Sequence, residues 1–437
     1  MLALLLDVTS YLGATIVVYY LGLYAVSLWT TRRTVPPVGR SPQFVVVVPA
    51  RDEELVIGAT VERLRALHGE HVLALVMNDG SSDATSAVAR AAAQGDPRVL
   101  VVDRDPVIAG RGKGEVLNHA YRVISAMLDT GDPRLADRGA DEIVVCVVDA
   151  DGWLDPRALE VVAPYYADPR VAGVQIPVRI WNGRDSFLAL MQDLEFIGFS
   201  MFVQAGRDPL GSVGLGGNGQ FIRFAALQTL GAAPWNDCLT EDLDIGLRLV
   251  RNGWRHRFCS RTWVAQQALS RFKPFFRQRT RWIQGHYSCW RHLPGLWRAR
   301  QVPLATRVDL TLYLVLVVFI LVFGVHLALG MAGALGLITI DSEFLSFIGD
   351  DRLYRFVTVV LSIGPLLAFA FTYQRFAHRP LPAWSLPGVL LMLAVYGYFW
   401  AVPASLRALA RLAARRNGWA KTPRTAVSSA ALITDSA

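Results

Sequence analysis

Ile143-Val-Val-Cys-Val-Val-Asp149-Ala-Asp151-Gly152 is the stretch that decides the fold. Its run of mostly β-branched residues is typical of a parallel strand that is buried on both faces. In open α/β sheets, ligands bind just beyond the carboxyl ends of such strands, where Asp149 and Asp151 lie. Side chains at alternate positions of an extended backbone point the same way, so we expect both carboxylates on one side. Two hard oxygen ligands suit a Mg²⁺ or Mn²⁺ that also holds phosphate, although Asp and Gly also favour ordinary turns.

Three further strands, each followed by a helical pattern, precede this stretch. We predict them at residues 43–49, 72–77 and 99–102, and strands that alternate with helices form a parallel sheet with right-handed crossovers. Asp52 and Asp79 follow the first two strands, so they are expected at the same sheet edge as Asp149. The sequence Gly-Arg-Gly-Lys-Gly at 110–114 lacks the spacing of a phosphate loop. Lys113 is available to a phosphate, but a solvated loop explains it equally well.

The second half of the soluble segment contains further predicted elements. We expect a strand at 170–178, a long amphipathic helix at 185–204, and a glycine-rich segment at 211–219 that either approaches a ligand closely or acts as a linker. Thr240 is a plausible helix N-cap, with Glu241 and Asp242 in the first turn, where the helix dipole favours acids. A carboxylate at a helix start can also face a cleft and act as a general base.

Residues 272–300 are basic and aromatic, which predicts a helix lying in a membrane interface. One interpretation is that Arg279 and Arg281 on this helix extend toward lipid headgroups. The alternative is that Gln278, Arg281 and Trp282 face a cleft. Four segments without charged residues (11–29, 310–340, 356–374 and 381–406) are long enough to cross a bilayer core of about 30 Å. Arg32 and Arg33 place the domain that follows in the cytoplasm, and we interpret residues 11–29 as a retained anchor.

Composition narrows the possible partners. The 437-residue chain has a formal net charge of +8, and its basic residues cluster near apolar segments. This favours membrane surfaces and anionic substrates, and argues against nucleic acid. The four cysteines are scattered without a C-x-x-C pair, which fits a reducing compartment and argues against structural zinc.

In this order, the motifs resemble those of the membrane-embedded, processive branch of glycosyltransferase family two, which includes cellulose, chitin, hyaluronan and poly-N-acetylglucosamine synthases. The resemblance runs from Phe44 to Trp282 and rests on VVVVPARDEE, NDGSSDAT, RGKGEVLNHA, DADG, TED and QRTRW, with GWAKTPR in the tail. The chain departs from the family pattern in two places. Asn78 stands where many members have aspartate, and Asp52 replaces a common asparagine.

The resemblance implies an α/β GT-A (Rossmann-like) cytoplasmic domain with a mostly parallel sheet, flanked by transmembrane and interfacial helices. The implied divisions are a first transmembrane helix (1–31), the GT-A domain (32–270), interfacial helices (271–306), about three transmembrane helices (307–412) and a partly disordered basic tail (413–437). It also implies a multi-pass protein of the plasma (inner) membrane, with a homo-oligomer or an accessory subunit as compatible partners.

The resemblance further implies a site for a nucleotide-sugar donor and a separate site for the acceptor. The expected donor-binding residues are Pro49, Ala50, Asp52, Glu54, Asp79, Lys113, Asp149, Asp151, Gln278, Arg281 and Trp282. Asp149 and Asp151 are the expected metal ligands, for Mg²⁺ or Mn²⁺. The expected acceptor-binding residues are Gly217, Asn218, Gly219 and Trp282. Asp242 is the expected base, with Glu241 and Thr240 beside it.

The chemistry of the residues agrees with these roles. A divalent cation, Arg281 and Lys113 would neutralise a leaving diphosphate, and the sequence offers no distinct protein nucleophile, so we expect a single inverting displacement. The expected product is a growing β-linked polysaccharide, made from UDP-glucose or UDP-N-acetylglucosamine. The alternative is transfer of one or a few sugars to a lipid or lipid-linked acceptor. A transporter with a nucleotide-binding domain is a third alternative, and it would need ionisable residues inside its membrane spans. The four apolar segments contain one such residue, His326, which argues against a transporter.

Overall fold

The computed structural model describes residues 2–35, 40–69, 71–135, 137–334 and 352–414. Its strands are β1 (Gln43–Ala50), β2 (Val72–Asn78), β3 (Val99–Asp103), β4 (Ile143–Val147), β5 (Trp153–Leu154), β6 (Val171–Gln175), β7 (Val178–Ile180), β8 (Gln220–Arg223), β9 (Arg255–Phe258) and β10 (Val264–Gln266). Its α-helices are α1 (Leu2–Thr30), α2 (Ile57–Arg65), α3 (Thr85–Ala93), α4 (Lys113–Asp129), α5 (Ala158–Val162), α6 (Phe187–Gly198), α7 (Ala205–Arg207), α8 (Phe224–Gln228), α9 (Glu241–Arg251), α10 (Phe272–Ser288), α11 (Leu293–Arg298), α12 (Leu304–Ala334), α13 (Arg352–Phe376) and α14 (Leu386–Ala413). Most of the predicted tail, 413–437, lies outside the described residues.

Within the described residues, the central sheet has seven strands in the order β3-β2-β1-β4-β8-β6-β9. The first four are parallel, as the sequence predicts, whereas β8 runs antiparallel to both β4 and β6. Every residue of β4 is buried. Val144 and Cys146 pack into one apolar core and Val145 and Val147 into the core on the other face, which explains why this strand is apolar throughout.

The segment 170–178 was expected to be one strand, and that prediction is wrong. β6 belongs to the central sheet, whereas β7 belongs to a small sheet of order β5-β10-β7. Ile176 still bonds the segment before β8, because its N–H donates to Gly219 O at 3.2 Å. The chain changes sheets at Pro177, which has no N–H to continue this pairing and whose carbonyl oxygen accepts from Val264 N–H of β10 at 3.0 Å.

The predicted helix at 185–204 is also different from the expectation. α6 continues through a π-helical segment, Phe199–Gln204, into α7. The stretch Phe187–Leu210 is apolar and long enough to cross a membrane, and it packs against α1 and α13. Its carboxylates are paired, because Tyr373 donates to Asp193 at 2.9 Å and Arg279 bonds Glu195 at 2.8 Å.

By length and composition, three stretches of the described helices could cross a membrane: Tyr11–Thr30, Phe187–Leu210 and Pro387–Ala413. The first and last coincide with predicted spans. The other two predicted spans, 310–340 and 356–374, overlap α12 and α13, and residues 335–340 lie outside the described part of the chain.

A buried ion pair joins the apolar stretch Phe187–Leu210 to helix α12. Arg207 Nε lies 3.0 Å from Asp309 Oδ2, and each side chain is 1% exposed. The Tyr19 hydroxyl also donates to Asp309, so α1, α7 and α12 meet at one carboxylate. Because two apposed charges away from water fit only one geometry, this pair fixes how the three helices pack.

We expect Asp309→Leu to destabilise the protein by about 3–5 kcal/mol, because it leaves the Arg207 charge buried without its carboxylate. The double variant Arg207→Met/Asp309→Leu should recover most of that loss. Arg170→Ala, at an ion pair whose arginine is 68% exposed, is the control and should leave stability nearly unchanged. Apparent melting temperatures in detergent measure all three, and a single variant as stable as the wild type would contradict the role of the pair.

Candidate active site

A cleft lies at the carboxyl ends of β1, β2 and β4, closed on its other sides by the start of α9, by α10 and by α6. The sequence-predicted residues that line it are Pro49, Ala50, Asp79, Lys113, Asp149, Gly217, Asn218, Thr240, Glu241, Asp242, Gln278, Arg281 and Trp282. These residues come from segments nearly 240 positions apart in sequence, so the fold gathers most of the predicted site into one place.

Asp149 and Asp151 are not on an extended backbone, and that expectation is wrong. β4 ends at Val147, and a turn follows in which Gly152 N–H donates to Asp149 O at 2.7 Å. Asp149 lines the cleft, whereas Asp151 is 5% exposed and its Oδ2 accepts from Gln267 N–H at 3.3 Å. Asp149 is therefore on the cleft wall and Asp151 is not, and a metal role for Asp151 stays a prediction.

Lys113 lies between the predicted metal and base motifs. Its ammonium nitrogen is 2.6 Å from Asp149 Oδ1, 3.0 Å from Gly217 O and 3.8 Å from Glu241 Oε1. Burial opposes its charge, but Asp149 and Glu241 outweigh that effect and raise the pKa of Lys113 above its ordinary value. Carboxylate and carbonyl oxygens thus converge on a cationic group, and they are the ligands that Mg²⁺ and Mn²⁺ prefer. The residues present therefore fit a divalent cation beside Asp149.

Asp242 lies next to this group at the start of α9. A Cβ atom added at Gly217 would be 2.8 Å from Asp242 Oδ2 and 3.6 Å from Lys113 Nζ, so the three residues are neighbours. Burial, reinforced by the charge of Glu241, raises the pKa of Asp242 to about 7. A carboxylate with such a pKa can accept a proton near neutral pH, which an ordinary aspartate does poorly.

Thr240 does not act as the expected N-cap in the described structure. Its hydroxyl lies 3.7 Å from the sulfur atoms of both Cys238 and Cys289. A Cβ atom added at Gly285 of α10 would be 2.6 Å from Thr240 Oγ1, closer than such atoms approach in proteins. The start of α9 and the helix α10 are therefore in direct contact, and Gly285 makes that contact possible.

α10 presents two different faces. Gln278, Arg281 and Trp282 line the cleft, as positions i, i+3 and i+4 on one helix face. Arg279 is 3% exposed, bonds Glu195 and lies 4.3 Å from the centre of the Trp282 ring. The interpretation in which Arg279 extends toward lipid headgroups is therefore wrong, because this arginine is buried, paired with Glu195 and packed against the Trp282 ring.

Besides Asp151, three predicted residues lie outside the cleft wall. Asp52 Oδ1 accepts from Ser82 N–H at 2.7 Å and Glu54 Oε2 from Ala84 N–H at 3.0 Å, so both hold the loop before α3. Gly219 packs against β10, and a Cβ atom added to it would be 2.5 Å from Val264 Cγ1.

Arg51 and Glu53 line the cleft in place of Asp52 and Glu54. Asp52 has a φ of 51°, which breaks the alternation of side chains after β1. Sequence analysis also missed Phe196 of α6, which lines the cleft, because the fold alone brings α6 there. It missed Arg104 as well. This buried arginine bonds Asp79, which also accepts from Gly110 N–H at 3.1 Å.

The segment that forms this cleft also matches a known protein family. The family model "Glycosyltransferase like family 2" matches residues 42–285. A beta-monoglucosyldiacylglycerol synthase of Synechocystis sp. is 31% identical over 250 residues, which are 56% of this chain and 48% of that protein. A probable glucomannan 4-beta-mannosyltransferase of Arabidopsis thaliana is 28% identical over 152 residues, 34% of each chain. The chain spans about half the length of the first of these relatives.

Among solved structures, a mannosyltransferase from Pyrobaculum calidifontis in complex with GDP-Man and Mn²⁺ has a TM-score of 0.57 with this chain. It is 17% identical, and the alignment covers 85% of this chain and 98% of that one. At this identity the similarity concerns the fold, and it supports the expected GT-A-like architecture with a mostly parallel sheet.

We expect Gly285→Ala to destabilise the protein by about 1–3 kcal/mol, because the added methyl group overlaps Thr240 and forces α10 away from α9. Gly397→Ala is the matched control, since it lies in helix α14 with open space around its Cα, and it should leave stability unchanged or slightly raised. Thermal unfolding in detergent compares them. Equal melting temperatures for the two variants would show that α10 and α9 are not in tight contact.

Proposed function

This chain belongs to glycosyltransferase family 2, and on that premise we propose that it is an inverting enzyme that moves a sugar from a nucleotide-sugar donor to a hydroxyl group held at a membrane. The observation that carries the proposal is the single cleft in which Asp149, Lys113, Asp242, Arg281 and Trp282 meet. Asp149, Lys113 and Arg281 suit the diphosphate of the donor. Asp242 suits the proton of the acceptor hydroxyl, and Trp282 suits the acceptor itself.

Donor binding is assigned to the sheet side of the cleft. Lys113 and Arg281 are cations that face it, and a leaving diphosphate needs fixed positive charge as the bond to the sugar breaks. A divalent cation held by Asp149 would supply Lewis-acid charge to the same group. UDP-glucose and UDP-N-acetylglucosamine are the proposed donors.

Asp242 is the proposed general base. It accepts the proton of the acceptor hydroxyl while the oxygen bonds to the anomeric carbon and the diphosphate leaves from the opposite side. One displacement of this kind inverts the anomeric centre, so an α-linked donor gives a β-linked product. Its pKa of about 7 suits this role, because the group is then ionised in part at neutral pH and still basic.

The proposed acceptor is a lipid hydroxyl. Phe196 lines the cleft and lies on the apolar stretch Phe187–Leu210, so one wall of the site is formed by a helix that could cross a bilayer. The similarity to a beta-monoglucosyldiacylglycerol synthase supports the same acceptor class. A multi-pass protein of the inner membrane, with its catalytic domain in the cytoplasm, agrees with Arg32 and Arg33 following the first apolar helix.

A growing β-linked polysaccharide is the second candidate acceptor. The motif with Gln278, Arg281 and Trp282 on one helix face favours it, as does the similarity to glucomannan mannosyltransferases.

Purified protein in lipid nanodiscs, supplied with radiolabelled donors and either diacylglycerol or oligosaccharide, separates the two candidates. A single lipid-soluble glycoside supports the lipid acceptor, a ladder of oligosaccharides supports the polysaccharide, and no transfer from any nucleotide sugar to either acceptor contradicts the proposed function.

We expect kcat/KM to rise with pH and to level off above about 7, because the base acts only after Asp242 has lost its proton and its pKa is raised to about 7. Initial rates between pH 5.5 and 9, an interval of about 3.5 units chosen to span that pKa, test this. Asp242→Asn should lower kcat by about 10²-fold or more while donor binding persists. Asp237→Asn, an exposed carboxylate five positions away, should keep both the rate and the profile. A fully active Asp242→Asn enzyme would remove Asp242 as the base.

We expect Asp149→Asn to weaken Mn²⁺ binding in the presence of UDP by about tenfold or more, because a carboxylate is replaced by a neutral amide beside Lys113. Electron paramagnetic resonance of free Mn²⁺ measures the binding without any turnover. Asp141→Asn, an exposed residue before β4, is the control and should bind as the wild type does. Unchanged Mn²⁺ affinity in Asp149→Asn would contradict the metal assignment.

A further inference from the structure

Two thiols lie side by side where the two catalytic segments touch. Cys238 is partly exposed in the loop before α9, and Cys289 is buried directly after the end of α10. Their sulfur atoms are 4.0 Å apart, and Thr240 Oγ1 lies 3.7 Å from each. The sugar-transfer chemistry makes no use of either thiol.

We propose that Cys238 and Cys289 are a site of oxidation, at which a small-molecule disulfide converts the two thiols into an intramolecular disulfide that slows the enzyme. Formation of the bond follows from the geometry of the pair alone. The effect on rate rests in addition on the proposed function of the neighbouring cleft.

The two thiols have unequal roles. The hydrogen bond from Cys289 lowers the pKa of Cys238 below that of an ordinary thiol in spite of burial, so the partly exposed partner forms a thiolate more readily than its buried neighbour. The same hydrogen bond raises the pKa of the buried Cys289. Burial also raises the pKa of Cys146, and it raises that of Cys259 to about 11. Cys238 is therefore the thiol that attacks, and Cys289 is the one that completes the bond.

The reaction balances with a disulfide RSSR as the oxidant. The Cys238 thiolate attacks one sulfur of RSSR, forms a mixed disulfide and releases RS⁻, which takes up the proton that Cys238 has lost. Cys289 then loses its proton and attacks the Cys238 sulfur, releasing a second RSH. Two protein thiols are oxidised, one RSSR is reduced to two RSH, and a dithiol reductant reverses the change.

The Cys238–Cys289 disulfide would distort the site because the start of α9 and helix α10 are already in direct contact. A disulfide holds its sulfur atoms about 2.05 Å apart, so Cys238 and Cys289 must approach by about 2 Å. Cys238 is two residues before Thr240, and Gly285 already places α10 against Thr240. The approach is therefore passed on to Asp242, and misplacement of a catalytic group by about 1 Å can cost about 10²-fold in rate.

A metal ion is the competing use of these sulfur atoms, because Asp244 has an oxygen within 4.8 Å of both. The Asp244 carboxylate, however, already bonds Asn236 Nδ2 at 2.9 Å, Arg291 at 2.6 Å and His292 Nε2 at 2.7 Å. Both oxygens of this carboxylate therefore already bond to neighbouring side chains, which leaves little room for a bond to a metal ion. The pair is therefore better suited to thiol chemistry.

The test uses the full chain in detergent, equilibrated in glutathione buffers from fully reduced to fully oxidised. We expect a peptide pair linked through Cys238 and Cys289, a fall in transfer rate of about tenfold or more, and full recovery with dithiothreitol. Four outcomes would overturn the proposal: both cysteines remaining alkylatable in glutathione disulfide alone, only a glutathione adduct on Cys238, a linked pair with an unchanged rate, or stoichiometric zinc bound to the purified protein.

Variants separate the pair from other effects of oxidation. Cys238→Ser and Cys289→Ser should keep the basal rate and lose the response to glutathione disulfide, whereas Cys146→Ala should keep the response. Peptide mapping of the wild-type protein decides the question even where a variant folds poorly. If no sugar is transferred at all, the proposed function fails while the map still reports on the disulfide.

Discussion

The ammonium group of Lys113 is the contact on which the rest of the site depends. It reaches Asp149 after β4, the carbonyl of Gly217 before β8 and Glu241 at the start of α9, so one ammonium group joins the edge of the central sheet to the start of a helix. A cation surrounded by oxygens of opposite charge is favourable in a part-buried cleft, where water screens the charges less. The contact therefore holds together the diphosphate side and the proton-accepting side of the cleft, and a bound donor enters an arrangement of charges that already exists.

Polar groups in the apolar helices follow the same logic. Asp193, Glu195 and Asp309 each have a partner from a distant helix, through Tyr373, Arg279 and Arg207. Buried pairs of this kind add little net stability compared with apolar packing, but they reject alternative packings in which a charge would be left alone. Because Arg279 also braces Trp282, the packing of α6, α10 and α14 sets the orientation of a residue in the cleft.

Much of the fold and site was predictable from local patterns. The β-branched runs gave the parallel strands, and the spacing of Gln278, Arg281 and Trp282 placed them on one helix face. Three of the misses share a physical cause, which is a local change in the direction of the backbone. A positive φ at Asp52 exchanges the residues that face the cleft, a turn after Val147 turns Asp151 inward, and a proline divides one predicted strand between two sheets. Phe196 was missed because only tertiary packing brings α6 to the site.

The position of the apolar stretch Phe187–Leu210 has a practical consequence. It lies within residues 42–285, yet its partners α1 and α13 come from outside that range, one on each side. A fragment limited to residues 42–285 would lack α1 and α13, so the apolar helix that carries Phe196 would expose a large hydrophobic surface to water. A truncated, water-soluble catalytic core would therefore aggregate or have a distorted cleft, and crystallisation or screening requires α1 and α13 as well.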